Sequence, residues 1–600
     1  MNQHMPDSNA ASIQGSDCVM PGSSVQDATS SNADFTADPP SGIAPSRRID
    51  TAGQPVSLAV DSGAADPAAA DAGAAPLDPA RPALPDPAIS GEEIELKLLV
   101  VPEQLADFNN APIVVAHARN KGTRKHLTSV YYDTPRRQLW KNGFTLRVRQ
   151  SGSRFVQTVK SQQSDDPLKR GEWEASVTSL APDTALAAAL LPEELRAAVT
   201  DSPLEPVFTA DVHRHARLLD LPNATLEVAF DSGVIKAGEH SETVSEIELE
   251  LKSGTPATIY EAALRLAEHG PVRPSIRSKS ARGFDLAASV APGAEKPQKL
   301  HLDPAVSLDE AFAVILRGSF HHLLQALPAA EDGRDPEGVH QMRVALRRLR
   351  AALHLMRPLG VSATLESLET DARWLAQNLS TARDLDVFLT ETLPEIAEAC
   401  PTVAGFDTLQ SLAERQRALA YRKLRIAVAD RRCAAFVLGL GALIATRGWR
   451  NDVSPDELGR LAGPALDFAG HVLAERHQTV LKRGRRFKKL PAERRHRVRL
   501  ALKKLRYSID FLLPLYGASK PARKYARTLA DLQEQLGYYN DMAVTAGVIA
   551  DLGTTSTDAA IAAAAITGWH AHAMAGVEQP LREAWRAFAK APTPWGSEEA

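Results

Sequence analysis

Four short segments between Gly91 and Ala288 carry ionised side chains at every second position. Glu93, Glu95 and Lys97 are spaced two apart, as are Arg147 and Arg149, Glu172 and Glu174, and Glu246, Glu248 and Glu250. Alternate residues of an extended strand share a face. Each set therefore forms one charged face, backed by apolar Ile94, Leu96, Val148, Trp173, Ile247 and Leu249. A solvated sheet face decorated by cross-strand ion pairs is one reading, but such a face ordinarily mixes in Ser, Thr and Gln. The other is a barrel with its charged face turned inward. Paired carboxylates suit a hard divalent cation with oxygen ligands, Mg2+ or Mn2+. Paired arginines and lysines suit phosphate oxygens. A metal beside a basic cradle is the equipment of phosphoryl transfer.

A second chemistry lies in the C-terminal half. His340, Arg343, Arg347 and Arg350 fall on one stripe of a helix, beside an apolar stripe of Met342, Leu346, Leu349 and Leu353. The pattern returns 156 residues later as His496, Arg499, Lys503 and Arg506, and the segment Leu379 to Val387 returns 157 residues later as Leu536 to Val544. Two matches in one order indicate a tandem duplication. A solvated helix face usually alternates signs; these are basic without relief and call for an anionic partner. One histidine per helix, lacking an i+4 partner, is poor metal-ligand spacing. A phosphate-facing or structural imidazole fits better, and Asp384 and Asp541 are candidates to hold the arginines in place.

The elements that must position these groups follow from composition. The 600-residue chain is 44% hydrophobic and 24% charged with net charge −4, so it is an ordinary globular chain and any basic function is local. Residues 1–88, rich in Ala, Ser, Pro and Asp, are expected to be a disordered tail. Residues 90–290 alternate as β-strands, interrupted by helices at roughly 183–199 and 256–268. A linker spans 291–304. Residues 305–595 are helical in period, in two repeats of about 305–450 and 455–595, opened by a capping box at Ser307 to Glu310. Three cysteines without CxxC spacing fit a reducing compartment. The N-terminus lacks the pattern of a secretory signal, and no apolar stretch reaches the ~20 residues of a membrane helix. A cytoplasmic protein without a membrane partner is expected, and no nucleic-acid module is present.

At this point the first half resembles a known family. Glu93-x-Glu95-x-Lys97 is similar to the opening motif of the CYTH family, the triphosphate tunnel metalloenzymes. In the family's order follow Tyr131 to Thr134, Leu146 to Arg149, Thr158 to Lys160, Arg170 with Glu172 and Glu174, Arg214, Glu246 to Glu250, and Ser278 with Lys279. The second half resembles the CHAD domain, a duplicated helical domain associated with polyphosphate. The resemblance implies an α+β chain: an antiparallel eight-stranded β-tunnel followed by an all-α pair of four-helix bundles. It implies that Glu93, Glu95, Glu248 and Glu250 hold metal ions or the attacking water, with Glu172 and Glu174 as mid-tunnel acids or ligands of a second metal. Lys97, Arg147, Arg149, Lys160, Arg170, Arg214 and Lys279 would grip phosphates, and the two basic stripes would bind polyphosphate. The expected reaction is hydrolysis of inorganic triphosphate to pyrophosphate and phosphate, with polyphosphate granules as a location. The family's lysine two residues before the tunnel arginine is Val212 here, which weakens a proton-relay role for Tyr131. Adenylate cyclase, a nucleoside or thiamine triphosphatase, and a non-enzymatic polyphosphate-binding protein are the alternatives. Each half is expected to act alone when separated.

Overall fold

The computed structural model describes residues 89–161, 168–360, 362–451, 453–517, 519–553 and 556–596. The expected disordered tail, 1–88, lies outside the described residues.

Among the described residues, nine strands form one antiparallel sheet: β1 (Ile89–Leu99), β2 (Thr123–Asp133), β3 (Phe144–Ser151), β4 (Arg154–Ser161), β5 (Lys169–Val177), β6 (Glu205–Leu221), β7 (Ala224–Ala237), β8 (His240–Ser253) and β9 (Arg273–Ser275). Their order is β5-β4-β3-β2-β6-β7-β8-β1-β9, with a further β5–β1 pairing. The expectation of eight strands is corrected by β9, whose three residues were too few to show a period. The sheet is also not a uniformly paired cylinder. The first half of β1 pairs β5 from Ile89↔Trp173 to Ile94↔Lys169, whereas Leu99 and Lys97 have β9 at Arg273 and Ser275 instead. The helical interruptions fall at Thr184–Leu190, Glu193–Thr200 and Pro256–His269.

The inward face is not charged along its whole length. Val212, Ala210 and Phe208 share the strand face of Arg214, and with Tyr131, Ile235, Val244 and Phe284 they form a separate buried cluster. Phe208 stacks on Tyr131 with centroids 4.4 Å apart, and Trp140 stacks on Phe284 at 4.4 Å. An apolar plug therefore occupies the part of the lumen where the sequence pattern implied more charge. The helix Lys279–Ala288 presses on this plug. A Cβ at Gly283 would lie 2.1 Å from the Phe208 ring, so only glycine permits the approach that carries Lys279 inward.

From Leu308 onward the described chain is helical. The Ser307 hydroxyl accepts from the Glu310 N–H at 3.3 Å, but the Glu310 carboxylate pairs with Arg447 instead of returning to Ser307. Half of the expected capping box is thus diverted to a tertiary ion pair. The repeat helices Pro336–Met356 and Ala492–Leu512 pack against each other, with Arg347 over the Tyr507 ring at 5.9 Å and Arg348 over Phe511 at 5.1 Å. The linker is partly docked: Glu295 accepts from Gln325 at 2.9 Å.

The two halves share one apolar core, which runs from Leu98, Phe230 and Tyr260 to Phe320, Leu324 and Leu440. A Cβ at Gly441 would lie 2.1 Å from the Tyr260 ring, and Arg273 pairs with Glu331. Cutting the chain between the halves would expose this apolar surface, so independent behaviour of the fragments is not what the packing favours.

Candidate active site

The charged segments meet in one cavity of about 480 Å³. Strand register brings them there. β1 and β8 place Lys97 opposite Glu248 and Glu95 opposite Glu250, and β4 and β5 place Lys160 opposite Glu172 and Thr158 opposite Glu174. The lining comprises Glu93, Glu95, Lys97, Tyr131, Thr145, Arg147, Arg149, Lys160, Glu172, Glu174, Arg214, Glu248, Glu250, Leu251, Lys252 and Ser278 to Ser280. The backbone of Arg170 stands opposite Glu93 in the β1–β5 pairing.

Within the cavity the ions pair in chains. Lys97 Nζ lies 2.8 Å from Glu95 and 2.6 Å from Glu248. Lys160 Nζ bridges β1 and β5, 2.8 Å from Glu93 and 2.9 Å from Glu172, and Arg147 donates to Glu172 at 3.1 Å. Arg214 holds Asp231 through two donors at 2.7 and 2.6 Å and also pairs with Glu248. Lys279 reaches Asp231 at 2.7 Å, Glu246 at 2.5 Å and Glu248 at 3.0 Å. Burial opposes the charged state of Lys97, but Glu248 and Glu95 hold its pKa above the ordinary value. Against the same burial, Lys279, Lys97 and Arg214 hold the Glu248 carboxyl well below the usual carboxylate range.

Asp231 was missed from the sequence, and so was the work of Glu246 as an anchor. Asp231 is fully buried, and Arg282 joins it indirectly by donating to Glu246 at 2.9 Å and to Glu242 at 2.7 Å. An acid directly after the apolar run Val228 to Phe230 was the available signal. Asp133, in the Tyr131 to Thr134 motif, serves the turn: its carboxylate accepts from the N–H groups of Thr134, Leu139 and Trp140 at 2.7, 3.0 and 2.9 Å.

Charge is unevenly shared between the ends of the cavity. Burial, with Arg147 and Arg214 nearby, lowers the Arg149 pKa to about 10, and its guanidinium donates to the Ser129 hydroxyl at 3.2 Å. Burial opposes ionisation of Tyr131, yet Arg147, Arg149 and Lys279 pull its pKa down. At the other end, burial together with Glu93 and Glu227 raises the Glu250 carboxyl despite Lys252 at 2.5 Å. Asp231, Glu246 and Glu248 bring ligand atoms within 4.8 Å of one another. Lys279 sits on all three, however, which makes this cluster a seat for an ammonium ion. Glu93, Glu95 and Glu250 each lie against one lysine, Lys160, Lys97 and Lys252 respectively.

The helical stripes divide on folding. Arg343, Arg350 and Arg499 are buried, and Arg343 donates to the Ala376 carbonyl at 3.2 Å. Burial and the cations Arg383, Arg347, Arg343 and Lys296 push His340 down to about 3. Its counterpart His496 is exposed. Lys503 is half-buried, and Arg506 pairs with Asp510 at 3.0 Å. Asp386 holds an arginine here: it accepts from Arg417 at 2.6 Å and from Tyr421 at 2.8 Å. His354, absent from the sequence reading, is also pushed to about 3 by burial and by Lys504, Arg476, Arg357 and Arg350. Among the described residues, no helix is long and apolar enough to cross a membrane.

Residues 91–284 match the CYTH domain family and residues 314–550 the CHAD domain family. Inorganic triphosphatase of Haemophilus influenzae is 31% identical over 201 residues, which are 32% of this chain and 55% of that protein. The matched stretch thus spans about half of that relative's length. An uncharacterised protein of Mycobacterium tuberculosis is 27% identical over 377 residues, 59% of this chain and 70% of its own. The crystal structure of the CHAD domain from the plant Ricinus communis, 31% identical, covers 50% of this chain and 99% of its own, with a TM-score of 0.43.

Proposed function

The chain joins a CYTH domain to a CHAD domain, and from that premise we propose that its cavity hydrolyses inorganic triphosphate to pyrophosphate and phosphate with Mg2+ or Mn2+, while its helical half binds polyphosphate. The observation that carries the reading is the mixed lining of the cavity: Arg149 has Arg147 and Arg214 as charged neighbours, whereas Glu250 has Glu93 and Glu227 beside Lys252. That division matches a phosphate chain whose terminal oxygens meet a divalent ion.

Glu93 and Glu95 are the residues assigned to hold the ion. Bound there, a divalent cation supplies charge neutralisation on phosphoryl oxygens and acidifies a water. Arg147, Arg149, Lys160 and Arg214 bind the phosphates, Arg by two-pronged donation. Asp231 and Glu248 fix Arg214 and Lys279 in place, so little reorganisation is needed when charge shifts along the chain. Glu250, with its raised pKa, is assigned to accept the proton of the attacking water. Glu172 positions Lys160 and Arg147, and Glu174 accepts from Thr158 at 3.0 Å. The aromatic on the described wall is Tyr131, and one face of its ring is covered by Phe208. This favours an inorganic chain over a nucleotide, whose base would seek a free ring face.

In the helical half, Arg347, Lys503, Lys504 and His496 are the more accessible members of the basic surface that would meet polyphosphate. The buried arginines would stiffen it.

The test is phosphate release by the full-length protein, stripped with EDTA and then given Mg2+ or Mn2+, from triphosphate, ATP, thiamine triphosphate and long polyphosphate. Turnover of triphosphate above the others, only with metal, is expected. Full turnover in excess EDTA, or preference for ATP, would overturn the assignment.

A further inference from the structure

On the side of the sheet facing away from the cavity, three potential ligands converge. His126 of β2 stands directly opposite His213 of β6. The two rings are nearly parallel, 14° apart, with centroids separated by 4.5 Å. Asp211 lies two residues before His213, hence on the same face, and its carboxylate is 2.7 Å from His126 Nε2. Ligand atoms of all three lie within 4.8 Å of one another. Arg214, the next residue of β6, points the opposite way into its pair with Asp231, which fixes the outward direction of His213. Thr128 donates to the second Asp211 oxygen at 3.4 Å, so one oxygen is oriented and the other faces the imidazoles.

We propose that His126, Asp211 and His213 form a three-ligand site for a borderline divalent transition ion of the Zn2+ class, separate from the oxygen-only cavity. Two imidazoles with one carboxylate select such an ion over Mg2+, which prefers oxygen and retains its water. Zn–N bonds of about 2.0–2.1 Å require nitrogens about 3.4 Å apart in a tetrahedron, and these exposed rings reach that by tilting inward. The fourth position stays open to water because His126 and Asp211 are about half exposed (54% and 45%). The Thr128 hydroxyl supplies the outer contact that orients a ligating carboxylate. Backbone pairing of β2 with β6 sets the spacing, so the site is largely preformed and little ordering is required on binding.

The experiment is calorimetric titration of Zn2+ into the EDTA-stripped, dialysed full-length protein at about pH 7.5, in excess Mg2+ to occupy oxygen-only sites. The wild type should bind one more Zn2+ per chain than the His126→Ala/His213→Ala variant, and Asp211→Asn should weaken that equivalent at least tenfold. X-ray absorption of the Zn2+-loaded wild type should show two imidazole ligands, a readout that does not depend on any variant folding. Equal stoichiometry and affinity in wild type and double variant, or an all-oxygen coordination shell, would overturn the site.

Discussion

The sheet cavity and the helical basic surface solve the burial of charge in opposite ways. In the cavity, most cations sit against carboxylates: Lys97 on Glu95 and Glu248, Lys160 on Glu93 and Glu172, Lys279 on three acids. In the helices, buried Arg343 donates to a carbonyl, and half-buried Arg347 and Arg348 lie over aromatic faces. Burial, and after it the surrounding cations, pushes His340 and His354 down to about 3. A self-neutralised cavity can stay folded when empty and exchange partners when a charged substrate arrives. An under-neutralised basic surface has its missing charge supplied from solution, so it is suited to retaining a polyanion.

The sharpest test of this contrast is the pair of ligand acids. Glu93→Gln with Glu95→Gln should lower triphosphate turnover by about a thousandfold, because loss of the ion removes several kcal/mol of barrier lowering. Affinity for polyphosphate, measured by fluorescence anisotropy, should stay unchanged; a parallel loss of both would merge the two regions into one site.

Stability should separate them next. Lys279→Met removes a cation shared by Asp231, Glu246 and Glu248, leaving three buried acids to Arg214, Lys97 and Arg282 alone, and urea unfolding should show a loss of about 3 kcal/mol. Arg347→Met strands no buried acid and removes an aromatic contact, so about 1 kcal/mol or less is expected. Similar losses would break the comparison.

A smaller effect concerns salt. Arg347→Gln, Lys503→Gln and Lys504→Gln together should weaken polyphosphate binding about tenfold at low salt. They should also flatten its log–log salt dependence by roughly 2, about 0.7 per lost phosphate contact. An unchanged slope would move the binding surface elsewhere.

The smallest effect is titration of Asp541, whose carboxyl burial pushes up from 3.8 to about 7 against the pull of Arg499 and Lys503. The folded state therefore holds a proton that the unfolded state releases above about pH 4. That stabilisation is complete below about pH 4 and is lost as pH rises to about 7. Deprotonated Asp541 then competes with an incoming anion for Arg499 and Lys503. Polyphosphate binding should weaken a few-fold between about pH 6 and pH 8, and Asp541→Asn should abolish that change. Persistence of the pH dependence in the variant would assign it to another group.

Individual residues show where the sequence was informative. Alternation in Glu93 to Lys97 and Glu246 to Glu250 marked which side chains share a face, because strand geometry makes that a local property. The register that sets Lys97 against Glu248 is not local, and no spacing within either segment contains it. Asp231 went unremarked in the sequence, and β6–β7 pairing puts it opposite Arg214. Val212 read as a missing lysine, and folding shows it as part of an apolar plug with Phe208 and Phe284. The duplicated helical stripes were visible as a repeat. Their unequal burial, with His340 half-buried and His496 exposed, is set by the fold and not by the repeat.

By itself, then, the sequence determined the chemistry available: which faces are charged, that carboxylates and guanidiniums come in pairs, and that the basic helix occurs twice. These follow from periodicities of two and 3.6 residues, fixed by backbone geometry. Tertiary structure alone decided which acid neutralises which cation, how far the charged lumen extends, and that the sheet and helices share a core through Tyr260 and Gly441. Those outcomes depend on contacts between residues distant in the chain. There, burial and Coulomb attraction are set by the fold as a whole, not by any segment's own pattern.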